Sequence, residues 1–268
     1  MSTHELAPAT TPVLTSPPAG RAPTWAAAFG AVYAAQLART RTVRVPLLFV
    51  AGFQSVGILV LLRVVGGTSG DVSGAQVVSG SSVLVVAFIG LNLLAQRFGT
   101  LKSNGGLDYY AALPVPSSVV VLATASSYAT FAVPGTVVTS VAGVLMYDLP
   151  WAPLALLPVV VIVAGASLAG VGAAIGLLAR RPEIATVTGQ LGMSAVIFLD
   201  LVPAHRLPGV VQALRAVVPS TYAADALTGA FAQHPDGWLI TRDLGVCLAV
   251  AAVALAVAAW AFGKAVRR

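Results

Sequence analysis

The side chains that usually carry catalysis are few here and widely separated. His4, His205 and His234 stand far apart without metal-ligand spacing, and no G-x-S-x-G segment supplies a nucleophile elbow. Asp200 and His205 lie near enough in sequence to share a site, yet a histidine in a polar loop is ordinarily just solvated. The single cysteine, Cys247, lies in an apolar run, so it forms no intramolecular disulfide and reads as a small packing residue. The two lysines, Lys102 and Lys264, do not close a G-x-x-x-x-G-K sequence, so the chain carries no phosphate-cradling loop. The expectation is a chain with no catalytic residue and no metal ligand.

What remains is polar chemistry inside apolar runs. Gln54, Asn92 and Gln190 are the strongly polar residues at the centres of those runs, where no Asp, Glu, Lys, Arg or His occurs. Such amides serve either as interhelical hydrogen bonds or as contacts along a substrate path. The missing intramembrane charge argues against proton or ion coupling and points to an energy source outside the chain. Gly165, Ala169, Gly172 and Gly176 form a small-residue seam that permits close backbone approach within or between subunits.

The most informative segment runs from Gln96 to Pro116. It begins with charged residues and continues through Gly105-Gly106-Leu107-Asp108-Tyr109-Tyr110-Ala111-Ala112-Leu113-Pro114. A short helix bearing exposed aromatics beside a charge suits a partner's groove. The alternative is an interfacial helix anchored by Tyr109 and Tyr110. Upstream, Trp25, Phe29, Val32, Tyr33 and Leu37 recur at helical spacing, with Arg39, Arg41 and Arg44 at the end. This predicts an amphipathic interfacial helix, or else an extension of the first span.

The elements that must position these residues are membrane spans. Of 268 residues 57% are hydrophobic and 9% charged, against about 25% charged in soluble domains. The mean hydropathy is +0.90. Runs of roughly 20 apolar residues suffice to cross a bilayer. Six spans are predicted, at 45–62, 77–95, 117–147, 153–178, 184–202 and 244–262, with bends expected at Pro134–Gly135 and Pro158. Residues 203–242 contain two apolar fragments, Gly209 to Val218 and Thr221 to Phe231. They are expected as short re-entrant helices, the second capped by Ser220, with a compact outer cap as the alternative. Residues 1–24, rich in proline, are expected to be a disordered tail without the features of a cleavable signal peptide.

Orientation follows from the loops. With the N-terminus inside, Arg21, Arg39, Arg41, Arg44, Arg97, Lys102, Arg180, Arg181, Lys264, Arg267 and Arg268 lie on the cytoplasmic side. Arg63, Arg206, Arg215 and Arg242 lie outside. This positive-inside bias places both termini in the cytoplasm. The net charge of +6 is spread between apolar runs rather than gathered on one face, which excludes a nucleic-acid partner.

At Gly105-Gly106-Leu107-Asp108-Tyr109-Tyr110-Ala111-Ala112-Leu113-Pro114-Val115 the sequence resembles the G-[TG]-L-E-x-L-x-A-x-P segment of ABC-2 type ABC transporter permeases. Leu207-Pro208 and Val218-Pro219-Ser220-Thr221-Tyr222-Ala223-Ala224-Asp225-Ala226-Leu227 are similar to the family's L-P and N-P-x-x-Y-x-x-D-x-[LF]-R, with Pro219, Tyr222 and Asp225 in register. Arg180-Arg181-Pro182-Glu183 occupies the usual basic turn before the fifth span. Asp108 replaces a usual Glu, and Thr228 stands where Arg is common.

The resemblance implies an all-α fold of six spans and a multi-pass permease of the plasma membrane. It implies a permease dimer driven by a separate ATPase that binds the ATP and Mg. The ATPase would contact the arginine-ended first helix and the helix after the second span. The implied activity is export of an amphipathic drug, lipid or related compound, as in drug efflux and antibiotic resistance. Two other functions fit the spans alone: a nucleotide-independent carrier or channel, and a structural membrane scaffold.

Overall fold

A computed structural model describes residues 24–39, 44–66, 73–201 and 208–267, and these are 88% helical with no strand. The expected tail, Arg41 and His205 lie outside the described residues. Five helical rods are long and apolar enough to cross a membrane: Gly74–Ser103, Ser117–Tyr147, Ala152–Leu178, Pro182–Asp200 and Gly237–Val266. The first expected span falls in α2 (Arg44–Gly66), where the apolar stretch among the described residues, Gly52–Val64, is shorter.

The expected second span is one continuous rod: α3 (Gly74–Ala87), a π-helical turn (Phe88–Leu93) and α4 (Leu94–Ser103). Its start is capped by the Ser73 hydroxyl, which accepts from the Gln76 N–H at 3.2 Å. The rod outruns the span expected to end at Ala95, so Gln96 to Lys102 is helix rather than loop. Two things carry it past the apolar zone. Phe98 and Leu101 point into the core. Lys102 Nζ donates to the carbonyls of Leu177 and Ala179 at 2.7 and 2.8 Å, satisfying the end of α7 (Leu157–Leu178). A cation near the C-terminus of α7 also suits that helix's dipole.

After a turn at Gly105, whose φ of 67° lies in the left-handed region, comes the short α5 (Gly106–Ala111). Next, α6 (Ser117–Tyr147) matches its predicted limits and runs through Pro134 without leaving the helical conformation. Pro158, the other expected bend point, lies where the helix type changes. A 3₁₀ turn (Ala152–Leu156) precedes α7, and Pro158 sits in that helix's first turn, where a missing N–H costs nothing.

α8 (Pro182–Leu201) leads to α9 (Gly209–Arg215), α10 (Pro219–Ala230) and α11 (Gly237–Val266). Ser220 is not the cap of α10: Pro219 occupies the first helical position, Val218 precedes it, and Ser220 is fully buried inside the first turn. The last span begins at Gly237 rather than near Leu244. Asp236 accepts from the Trp238 N–H at 2.9 Å and starts the helix early.

α7 is the central post, packed against α11, α6 and the rod. Its small-residue seam acts within the subunit. A Cβ on Gly172 would collide with the carbonyl oxygens of Gly90 and Leu91, and one on Gly176 would meet the Ala95 carbonyl and Phe98 Cβ. Glycine there lets two helix backbones touch. The remaining N-terminal element, α1 (Trp25–Arg39), lies against α6, with Ala28 and Val32 packed on Val119 and Ala123.

Candidate coupling surface and polar seams

Three regions gather the sequence-predicted residues. The first is built by α1, α5 and the start of α6. The buried stripe of α1 is Ala28, Val32 and Gln36, four residues apart, and it differs from the aromatic row the sequence suggested. Trp25, Phe29 and Tyr33 instead stack along the edge, with ring centroids 5.5 and 6.1 Å apart, and Tyr33 Oη lies 2.9 Å from Thr130 Oγ1. Gln36 closes the stripe. Its Nε2 donates to Tyr110 Oη at 2.8 Å and to Thr124 Oγ1 at 3.2 Å, so one amide joins α1, α5 and α6. Buried amides of this kind need such partners.

The two tyrosines of α5 part company. Tyr110 is buried against Gln36, whereas Tyr109 is 64% exposed and meets Tyr110 edge-on at 5.4 Å. Leu107 is buried and Asp108 exposed. A Cβ on Gly106 would be tight, 2.8 Å from Leu101 Cδ2 and 3.2 Å from the Leu101 carbonyl oxygen. Leu113, Pro114 and Arg39 complete the lining of a groove of about 380 Å³ between α1 and the segment after α5. Arg44 opens α2.

The second region lies where the rod faces α8. Asn92, inside the π turn, donates from Nδ2 to Gln190 Oε1 at 3.2 Å and accepts from Gln96 Nε2 at 2.9 Å. Two of the three predicted amides are therefore in contact, with Gln96 as an unpredicted third member. Gln54 sits half-buried on α2 and takes no part in this ladder. Asn92 is buried while Gln190 is exposed, so the ladder leads from the core to the surface of α8.

The third region is the α9–α10 hairpin, held by its own side chains. Asp225 pairs with Arg215, Tyr222 Oη donates to the Ala216 carbonyl at 2.7 Å, and Thr221 Oγ1 donates to the carbonyls of Arg215 and Val218 at 2.8 and 2.7 Å. The Pro219 carbonyl accepts from Cys247 Sγ at 3.2 Å, which docks the hairpin on α11. Burial raises the Asp225 carboxyl above its ordinary range, and the Arg215 guanidinium opposes that shift. Asp200, in the last turn of α8, is buried with neither carboxylate oxygen bonded among the described residues.

A family model, ABC-2 type transporter, matches residues 28–232, which take in α1, the α5 segment and the α9–α10 hairpin. The chain belongs to this family. It is a multi-pass membrane protein and a permease subunit of an ABC transporter, a family of transport rather than catalytic domains. ABC-2 permeases generally work with a separate ATPase subunit. No curated protein matches the chain at a significant level.

Within this permease, sequence reasoning missed Gln36, Gln96 and Gly90. Gln36 had a signal: it stands four residues after Val32 and eight after Ala28, the only strongly polar side chain on that stripe. Gly90 had none, because its partner Ala169 is far along the chain.

Proposed function

We propose that this permease is the membrane subunit of an ATP-driven exporter whose separate ATPase docks on the surface formed by α1 and α5. In this reading α2 is the first of six spans and both termini are cytoplasmic, consistent with the distribution of arginine and lysine. Two copies in the plasma membrane enclose the path, and the cargo is an amphipathic drug, lipid or related compound. ATP and Mg²⁺ belong to the ATPase. Asp108, Tyr109, Arg39, Arg41 and Arg44 meet the partner; Gly106, Leu107, Tyr110, Leu113 and Pro114 shape the surface. Gln54, Asn92 and Gln190 offer polar contacts along the path. Pro219, Tyr222 and Asp225 hold the re-entrant hairpin.

The observation that carries this reading is the Gln36 joint. A partner that displaces α1 and α5 pulls on one buried amide bonded to both Tyr110 and Thr124, so the displacement reaches α6 without a slack loop between. A nucleotide-independent carrier has no use for a joint between two peripheral helices and a span.

The structure also refines the test. Tyr110 is part of the joint, so the cleaner variant replaces the exposed pair, Asp108→Ala with Tyr109→Ala. Co-purification with the ATPase is expected to fall about 30-fold, the effect of losing an interface hot spot, while membrane insertion is unchanged. Undiminished co-purification with normal transport removes the docking role. Transport that persists without any ATPase establishes the carrier instead.

A further inference from the structure

The end of α11 and the first residue of α6 enclose a pocket of about 540 Å³ lined by Ser117, Ala259, Trp260, Gly263, Lys264 and Arg267. It shares no lining residue with the groove between α1 and α5. Trp260, Lys264 and Arg267 follow one another at four and three residues, so they share one face of the helix. Trp260 is 59% exposed and the Lys264 ammonium lies 5.0 Å from the centre of its ring. Both cations are exposed, and the lining contains no acid. Gly263 keeps the floor open: a Cβ there would stand 3.7 Å from Ser117 Oγ, and no side chain separates α11 from that hydroxyl.

The position of the pocket along α11 matters as much as its lining. From Leu244 to Phe262 the helix carries no charge, and Lys264 and Arg267 follow directly. The indole therefore stands at the boundary between hydrocarbon and water, where tryptophan is favoured, with two cations just beyond it. A soluble anion satisfies the cations but leaves the indole and Ala259 uncovered. A phosphodiester on a glycerol backbone satisfies all of them.

We infer that this pocket binds the headgroup of an anionic phospholipid, with the phosphate between Lys264, Arg267 and the Ser117 hydroxyl and the glycerol against Trp260. Basic pockets between helices at the membrane surface recognise such headgroups by charge, with each cation contributing a similar increment. The turn at Arg180 and Arg181 is the natural control. It is as basic and as exposed, but Glu183 lies beside it and it lines none of the pockets described here.

Native mass spectrometry of the full chain, purified in detergent with equal amounts of phosphatidylglycerol and phosphatidylcholine, tests the assignment. Wild type is expected to retain phosphatidylglycerol preferentially. Lys264→Ala with Arg267→Ala is expected to lower that retention about 25-fold, roughly fivefold per cation. Arg180→Ala with Arg181→Ala leaves it unchanged. Equal loss in both double variants reduces the effect to general surface charge and overturns the site, as does equal retention of the two lipids by wild type. Displacement of the lipid by inorganic phosphate alone assigns the pocket to a soluble anion and overturns the lipid. If the double variant does not accumulate, Lys264→Gln and Arg267→Gln are each expected to cost about fivefold; no loss in either also overturns it.

Discussion

The buried rod from Gly74 to Ser103 packs on both α7 and α8, and it meets them differently. Towards α7 the contact is backbone on backbone: Gly172 lies under the Gly90 and Leu91 carbonyls, Gly176 lies under that of Ala95, and a Cβ on Gly90 would come within 3.1 Å of the Ala169 nitrogen. Towards α8 side chains take a larger part. A Cβ on Gly189 would meet Asn92 Oδ1 at 3.2 Å and one on Gly192 would meet Leu91 Cδ2 at 3.0 Å, while Asn92 and Gln190 share a hydrogen bond. Backbone atoms cannot step aside, whereas side-chain ends can. The α7 seam is therefore the tighter of the two around Gly172, while the α8 seam is yielding at Gly192 and firm where a Cβ on Gly99 would meet Ala185 Cβ at 2.8 Å.

The sharpest way to break this comparison is Gly172→Ala. The added methyl meets only backbone atoms, the Gly90 and Leu91 carbonyl oxygens and Leu91 Cα, so a destabilisation of about 3 kcal/mol is expected, read as lost yield and a lower thermal midpoint in detergent. A stable, abundant Gly172→Ala protein would show the α7 seam to be as adaptable as the other. An intermediate effect is expected from the amide ladder. In a cycle of Asn92→Ala and Gln190→Ala, the pair should show a coupling of about 1 kcal/mol, measured by thermal unfolding, with folding retained in every variant. Additive effects would mean that the two amides do not interact. The smallest effect belongs to Gly192→Ala, expected to cost less than about 1 kcal/mol because Leu91 can turn its methyl away. If it matched Gly172→Ala, the two seams would be equally rigid.

The five long rods were legible because apolar runs of bilayer length leave little alternative. The ends were less so. Arg97 and Lys102 looked like loop residues, yet Lys102 finds its partners on α7, and nothing local in the sequence announces that. The π turn was invisible for a similar reason: Phe-Ile-Gly-Leu-Asn-Leu is an ordinary apolar helix on composition, and its wider turn faces glycines some 80 residues later. Tyr109 and Tyr110 illustrate a different limit. In a helix of only six residues no periodicity tells two adjacent tyrosines apart, so burial of one and exposure of the other had to come from α1. Among the predicted path residues, Asn92 and Gln190 met because both are amides on apolar helices, where a polar group seeks the nearest partner.

The α9–α10 hairpin has a bearing on how the fold closes. The ion pair and the hydroxyl-to-carbonyl bonds that tie α10 back to α9 and the turn before it fall between Arg215 and Asp225, a separation small enough for the loop to close locally. The Cys247 thiol, by contrast, joins the Pro219 carbonyl from 28 residues further along, on α11. The hairpin thus draws its ion pair and hydroxyl bonds from its own sequence neighbourhood and its apolar contacts from distant helices, so local closure and docking are separable parts of its stability.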